Sequence, residues 1–369
     1  TSTFGLAKMA DSGFASSIAG FSTLGREVFN ISQTPQVWID NHVHDRDGTL
    51  SIYWDTVEEL FPEGMIGRMF SAYTGLLERL AEDALAWTSP SPVRIEDTAD
   101  DGAPASVTAE LLHAGFLRNV LEQPDRPAVI DVERVLSYRE LFSMAASLAD
   151  RLAGALATSG TEKPLVAVAV PKGWRQAVAV LGVLFGGAAY VPVDPHWPLL
   201  RRQAVLAEAK PACVVVHSME KTGAWDGLPL FPVGETDAVR TDKPEKFLQA
   251  ASDSLAYVIF TSGTTGTPKG VMMSHAGATA TLGEINRRFA VTRDDRVLAL
   301  SALTFDLSVY DFFGIWAAGG VTVIPRENDI RNPRAWRQLM EKHGVTLWNS
   351  VPMFWQMLLE SGELPAVPP

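Results

Sequence analysis

The apolar positions of the chain fall into two regimes. Between residues 31 and 87, ISQTPQVWIDNHVHD carries apolar Val37 and Ile39 at alternate positions, and SIYWD (51–55) follows across Asp47-Gly48. Met65, Met69, Tyr73, Leu76, Leu77 and Leu80 then recur at three- and four-residue intervals. Alternation marks a strand with one buried face, and the longer period marks an amphipathic helix. An aspartate-glycine pair between two alternating stretches is a hairpin signal, because glycine accepts the positive φ of a tight turn. The pattern predicts a strand pair closed by one helix, too small a set to bury a core unaided.

From residue 111 onward the pattern changes to long helices alternating with short apolar strands. VLSYRELFSMAASLADRLAGALA (135–157) and GWRQAVAVLGVLFGG (173–187) read as helices, whereas PLVAVAV, AAYVPVD and PACVVVH read as strands apolar on both faces. Strands without a polar face belong in a parallel sheet covered on both sides by helices. This part is expected to be an α/β domain. TSPSPVRIEDTADDGAPA (88–105) separates the regimes with Pro, Ser, Asp and Gly and reads as a linker. The expected division is therefore 1–87, a linker at 88–110, and 111–369.

Composition sharpens this picture. The 369 residues are 47% hydrophobic and 20% charged, which excludes a disordered or low-complexity chain. The net charge of -12 is uneven: residues 1–110 carry 6 Lys or Arg against 17 Asp or Glu, and the remainder carries 25 against 26. Nearly all the acidity thus belongs to the first part, and no basic stretch points to a nucleic-acid partner. The single cysteine, Cys213, can form no intrachain disulfide and lies in an apolar strand, where a structural thiol is expected. His42 and His44 with Glu58-Glu59 fall short of a zinc ligand set. The apolar run 177–193 is broken by Gly186-Gly187 and Pro192 and is shorter than the about 20 residues of a membrane span. With no secretory pattern in residues 1–20, the expected setting is cytoplasmic, without a membrane partner.

The densest chemical signal is YVIFTSGTTGTPKGV (257–271). A strand from Tyr257 to Phe260 runs into Thr261, Ser262, Gly263, Thr264, Thr265, Gly266, Thr267 and Lys269. Hydroxyls, closely approachable glycine backbone and one ammonium are the donors that hold phosphate oxygens. The lysine is not followed by Ser or Thr at the head of a helix, so this is no Walker A loop.

TSGTTGTPKG resembles the phosphate loop of adenylate-forming enzymes. LSYREL (136–141), LFGGAAYVPVDPHWPLLR (184–201) and FDLSVYDFFG (305–314) resemble, in order, core motifs of nonribosomal peptide synthetase adenylation domains. The resemblance implies an adenylate-forming N-terminal core in which an amino-acid carboxylate attacks ATP, with Mg2+ bridging the nucleotide. It further implies that Thr261 to Lys269 grip the β and γ phosphates and that Asp306 pairs with the substrate α-ammonium group. A carboxylate beside Phe305 and Leu307 is costly unless a cation joins it, although a helix-capping Asp306 is the plain alternative. Pocket positions carried over from the family are Leu307, Tyr310 and Asn349, a partial set similar to that of cysteine-activating domains. Each of these three residues alone is also consistent with ordinary packing.

ISQTPQVWID (31–40), WDTVEELFPEGMIGRMF and the opening TSTFG resemble the C-terminal end of a heterocyclization domain, a relative of condensation domains. The resemblance implies an α+β piece in which Thr1 and Asp40 serve cyclodehydration, a step that moves protons near the new carbonyl. It also implies carrier domains bearing 4'-phosphopantetheine as partners outside this chain. No HHxxxDG sequence precedes this piece, and no adenine-binding segment or C-terminal subdomain follows LPAVPP. The chain is therefore expected to be a slice of a longer synthetase, unable to complete adenylation alone. Serine, threonine or methylated serine in place of cysteine, an acyl- or aryl-CoA-ligase activity, and a non-catalytic docking piece are the alternatives at this point.

Overall fold

The computed structural model describes residues 2–3, 39–46, 49–56, 61–88, 110–161, 163–218, 225, 227–234, 243–262 and 268–362. Two compact units divide the chain, Thr1–Ala105 and Ser106–Pro369.

In the first unit, β1 (Ser2–Thr3), β3 (Thr49–Thr56) and β2 (Ile39–Arg46) form an antiparallel sheet in that order. β2 and β3 pair from Arg46↔Thr49 to Ile39↔Thr56, on either side of Asp47-Gly48. α1 (Met65–Glu82) lays Ile66 and Phe70 on Ile52 and Trp54 of β3. Ile52 and Trp54 point to the helix, so their neighbours Tyr53 and Asp55 lie on the other face. The stretch from 31 to 38 and Thr1 lie outside the described residues.

In the second unit, α2 (Ala114–Glu122), β4 (Pro127–Ile130), β5 (Val135–Ser137), α3 (Tyr138–Ala157), β6 (Leu165–Ala169), α4 (Trp174–Phe185), β7 (Ala189–Pro192), α5 (Leu199–Ala209), β8 (Cys213–Val216) and β9 (Leu230–Pro232) come first. β10 (Leu255–Ser262), β11 (Pro268–Ser274), α6 (His275–Arg288), β12 (Arg296–Ala299), α7 (Leu307–Val309), α8 (Ile315–Ala317), β13 (Val321–Val323), α9 (Pro333–His343), β14 (Leu347–Asn349) and α10 (Pro352–Glu360) follow.

The strands make not one sheet but two: a six-stranded sheet ordered β11-β10-β7-β6-β8-β9 and a five-stranded sheet ordered β14-β12-β13-β4-β5. Pairing is parallel except at the edges, where β11 and β5 run antiparallel to β10 and β4. Alternation along the strands explains the layering. Val166 and Val168 of β6 face a central core with α3, α4 and residues of both sheets, whereas Ala167 and Ala169 face a separate core with α5. Leu298 of β12 and Val321 and Val323 of β13 face Trp336 of α9 and Leu358 of α10. The result is helix, sheet, helix, sheet, helix, with α4 buried on all sides.

α4 reaches that depth because Gly182 carries no side chain. A Cβ there would lie 2.7 Å from Leu148 Cδ2 of α3. Among the described residues no helix is long and apolar enough to cross a membrane.

Two local expectations are corrected. The helix expected from residue 135 begins at Tyr138, because Val135–Ser137 pairs with β4 and Ser137 caps α3 through a reciprocal box with Glu140. The strand before the glycine-rich loop extends beyond Tyr257–Phe260 to Leu255–Ser262, as one arm of a hairpin with β11.

Candidate active site

β12 and β14 are neighbouring parallel strands, paired through Ala299↔Asn349 at their carboxyl ends. Ligand sites in parallel sheets gather beyond such ends. Past β12 the chain turns into α7, a π-helical turn at Tyr310–Gly314 and α8, which run on with right-handed helical backbone. Asp306 precedes this rod, and Leu307 and Tyr310 belong to it.

These residues meet. Asp306, Leu307, Tyr310 and Asn349 line one cavity of ≈ 490 Å³, together with Tyr257 of β10 and Ile285 of α6. The four positions carried over from motif resemblance thus share one apolar-walled space.

The polar atoms of that space are arranged differently from the expectation. Asp306 is exposed, beside an exposed Phe305, and its Oδ1 accepts from Leu307 N at 2.9 Å. It is no carboxylate sealed among apolar side chains, and solvent removes the cost assigned to it above. Its charge is still felt inside: burial pushes the Tyr257 phenol up to about 12, and the Asp306 carboxylate adds to that shift. The Tyr310 hydroxyl donates to Asn286 Oδ1 at 3.1 Å, and Asn286 Nδ2 donates to Gly314 O at 2.8 Å. The phenol therefore serves the wall itself, and burial first, then Asp295 and Asp311, raise it to about 12. Asn349 Nδ2 donates to Leu307 O at 2.9 Å and to Asp311 Oδ1 at 2.8 Å.

Behind Asn349 lies a pair of charges. Asp311 is fully buried, and burial raises its carboxyl while Lys172 and the Asn349 amide hold it down. Lys172 donates from Nζ to Ser301 O, and burial lowers its ammonium while Asp311 supports the charge.

Of the glycine-rich loop, Thr261 ends up exposed on β10 opposite Lys269 of β11, and its hydroxyl meets Lys269 O at 3.5 Å. Ser262 pairs with Pro268. Gly263, Thr264, Thr265 and Gly266 lie outside the described residues. Among the described residues no carboxylate forms an ion pair with the exposed Lys269, so the ammonium and the Thr261 hydroxyl fit the acceptor oxygens of a phosphate chain. Because β10 also carries Tyr257, one strand links this hairpin to the cavity.

In the first unit, Asp40 and Asp55 are cross-strand partners with His42 between them, Nε2 standing 3.4 Å from Oδ2 of each. His42 stacks on Tyr53 at 4.6 Å. Asp40 is partly buried and engaged by this imidazole. Cys213 is buried, and burial pushes its thiol up to about 11, as suits a structural residue.

Sequence reasoning missed Tyr257, Asn286, Lys172 and Asp311. Asp311 lies inside a recognised motif, but nothing in its spacing distinguishes a buried acid from a solvated one. The α6 wall left a clue, since Ala278, Leu282 and Ile285 recur at helical intervals.

The AMP-binding enzyme family matches residues 116–368. Pyochelin synthetase PchF of Pseudomonas aeruginosa is 44% identical over 90% of this chain, which spans 18% of that protein. Phenyloxazoline synthase MbtB of Mycolicibacterium paratuberculosis is 36% identical over 98% of this chain, which spans 31% of it. Among solved structures, the nonribosomal peptide synthetase FmoA3 with bound α-methyl-L-serine-AMP superposes with a TM-score of 0.64 at 32% identity, covering 95% of this chain and 40% of FmoA3. The chain therefore spans less than half the length of these relatives. It belongs to the AMP-binding enzyme family and has the adenylate-forming fold of nonribosomal peptide synthetase adenylation domains.

Proposed function

We propose that the second unit activates L-cysteine within a nonribosomal peptide synthetase module. The substrate carboxylate attacks the α-phosphorus of ATP, the bond from that phosphorus to the pyrophosphate oxygen breaks, and cysteinyl-AMP forms. The observation that carries this reading is the meeting of Asp306, Leu307, Tyr310 and Asn349 on one cavity. An exposed carboxylate at its rim is placed to attract an α-ammonium group, and the apolar walls of Leu307 and Tyr310 suit a small side chain. Thr261, Ser262, Gly263, Thr264, Thr265, Gly266 and Lys269 would hold the β and γ phosphates. Mg2+, when bound with the nucleotide, offsets its negative charge. Catalysis is then positioning and charge neutralisation by these groups.

The first unit is proposed as the C-terminal part of a heterocyclization domain, joined through a linker near residues 88–110. Thr1 and Asp40 would serve closure of the cysteine side chain to a thiazoline, once a carrier domain bears the residue on its 4'-phosphopantetheine. The 98% coverage of this chain by the likeness to a phenyloxazoline synthase supports a shared arrangement that includes this unit.

One observation favours a second substrate. FmoA3 binds α-methyl-L-serine-AMP, so serine, threonine or a methylated serine, closing to an oxazoline, is the competing reading. Exchange of labelled pyrophosphate into ATP by the intact protein that carries these residues decides the point: cysteine should drive exchange faster than serine, threonine or α-methylserine.

A further inference from the structure

Asn349 lines the cavity, and the partners of its carboxamide decide which end of the amide is engaged by the protein. Leu307 O is an acceptor only, at 2.9 Å from Nδ2, and Asp311 Oδ1 accepts at 2.8 Å from the same nitrogen. Both amide hydrogens are therefore spent on the protein. Among the described residues no hydrogen bond is donated to Asn349 Oδ1, which leaves a carbonyl acceptor on a residue that lines the cavity. Asp311 is 0% exposed, its Oδ2 has no hydrogen-bond partner among the described residues, and the charge of Lys172, whose ammonium donates to Ser301 O, favours its ionised form. In either protonation state Asp311 has an oxygen free to accept from the amide.

We propose that Asp311, supported by Lys172, is a positioning residue that holds the Asn349 carboxamide with Oδ1 toward the cavity, so that the site selects amino acids whose side chain donates a hydrogen bond. The selected class is the thiol or hydroxyl side chain, over an apolar one of equal size. This rests on the reading of the cavity as an amino-acid pocket. It extends that reading by naming the side-chain chemistry and a residue that never touches the substrate.

The test compares L-cysteine with L-2-aminobutyrate, in which a methyl group replaces the thiol, in pyrophosphate exchange by the intact protein. Removing Asp311 alone strands the Lys172 ammonium in the interior, so both residues are changed together. Lys172→Met with Asp311→Leu leaves Asn349 without its inner acceptor. Lys172→Met with Asp311→Asn restores one, since the introduced carboxamide oxygen accepts in place of the carboxylate. The first double variant should lose at least about tenfold in the ratio of kcat/KM for cysteine over 2-aminobutyrate, because a site built around a hydrogen bond rejects the analogue that lacks it. The loss should appear in KM for cysteine. The second should keep the wild-type ratio, which a merely structural role for Asp311 does not require. Equal wild-type ratios in both variants would overturn the assignment, as would a folded Asp311→Asn double variant that loses the preference. If the first double variant does not fold, the second alone carries the decision. A wild-type protein that does not prefer cysteine or serine to 2-aminobutyrate overturns the pocket reading itself, before any variant is compared.

Discussion

Tyr310 donates its phenolic hydrogen to Asn286 Oδ1 at 3.1 Å, which joins the rod after β12 to α6 across the cavity wall. With its hydroxyl engaged by Asn286, the proposed pocket role of Tyr310 falls to its ring. Tyr310→Phe should therefore lower stability by about 1 kcal/mol, the net worth of one hydrogen bond, and change KM for the amino acid by less than about threefold. Urea unfolding and exchange kinetics on the same variant check both numbers.

Gly314 lies one turn beyond that ring. A Cβ at Gly314 would stand 2.5 Å from Tyr310 Cδ2, so Gly314→Ala must push the ring away. The expected outcome is a KM for the amino acid raised about tenfold or more with KM for ATP unchanged, because displacement of the wall weakens side-chain fit alone. A parallel rise in both constants would instead indicate general disruption.

Deep in the second unit, His113 Nε2 meets Phe247 O at 2.8 Å and His275 Nδ1 accepts from Leu112 N at 3.0 Å. Burial lowers both imidazoles to about 4, helped for His275 by His113 and opposed for His113 by the Phe247 carbonyl. Folded, both stay neutral down to about pH 4, whereas the unfolded chain takes up protons below about pH 6.5. Stability is thus full above that higher value, falls as pH drops toward about 4, and then levels off. The urea midpoint should decline across this window. His275→Asn keeps an acceptor for Leu112 N without titrating, and should flatten the decline.

Gly182 tests the depth of α4. Gly182→Ala forces its methyl against Leu148, in a helix with no free face, and should cost about 1 to 3 kcal/mol by overpacking. Denaturant unfolding measures this directly.

The elements legible in the sequence were those whose environment is uniform. β6 and β7 are apolar on both faces and α4 is apolar all round past Gln176, so composition alone announced their burial. The five-stranded sheet was not legible, because β12, β13 and β14 hold only 4, 3 and 3 residues and show no usable period. The start of α3 was encoded after all: Ser137 and Glu140 form the capping box that the longer apolar pattern concealed. Motif resemblance brought Asp306, Leu307, Tyr310 and Asn349 to one cavity, yet it could not tell which of their atoms face inward. That depends on Asn286, Asp311 and Lys172, residues distant in sequence or indistinguishable from solvated charges until the chain is folded.

Asp306 carries the central claim. Because its side chain is exposed and, among the described residues, accepts only from Leu307 N, Asp306→Ala should leave stability within about 1 kcal/mol of wild type, at the level of a helix cap. The decisive measurement is amino-acid-dependent exchange of pyrophosphate into ATP by the intact protein, run with all common amino acids and with aryl acids, before and after Asp306→Ala. The account predicts exchange that cysteine drives best and that Asp306→Ala abolishes while the protein stays folded. Exchange driven by an aryl acid, or cysteine-driven exchange that survives Asp306→Ala, would contradict it.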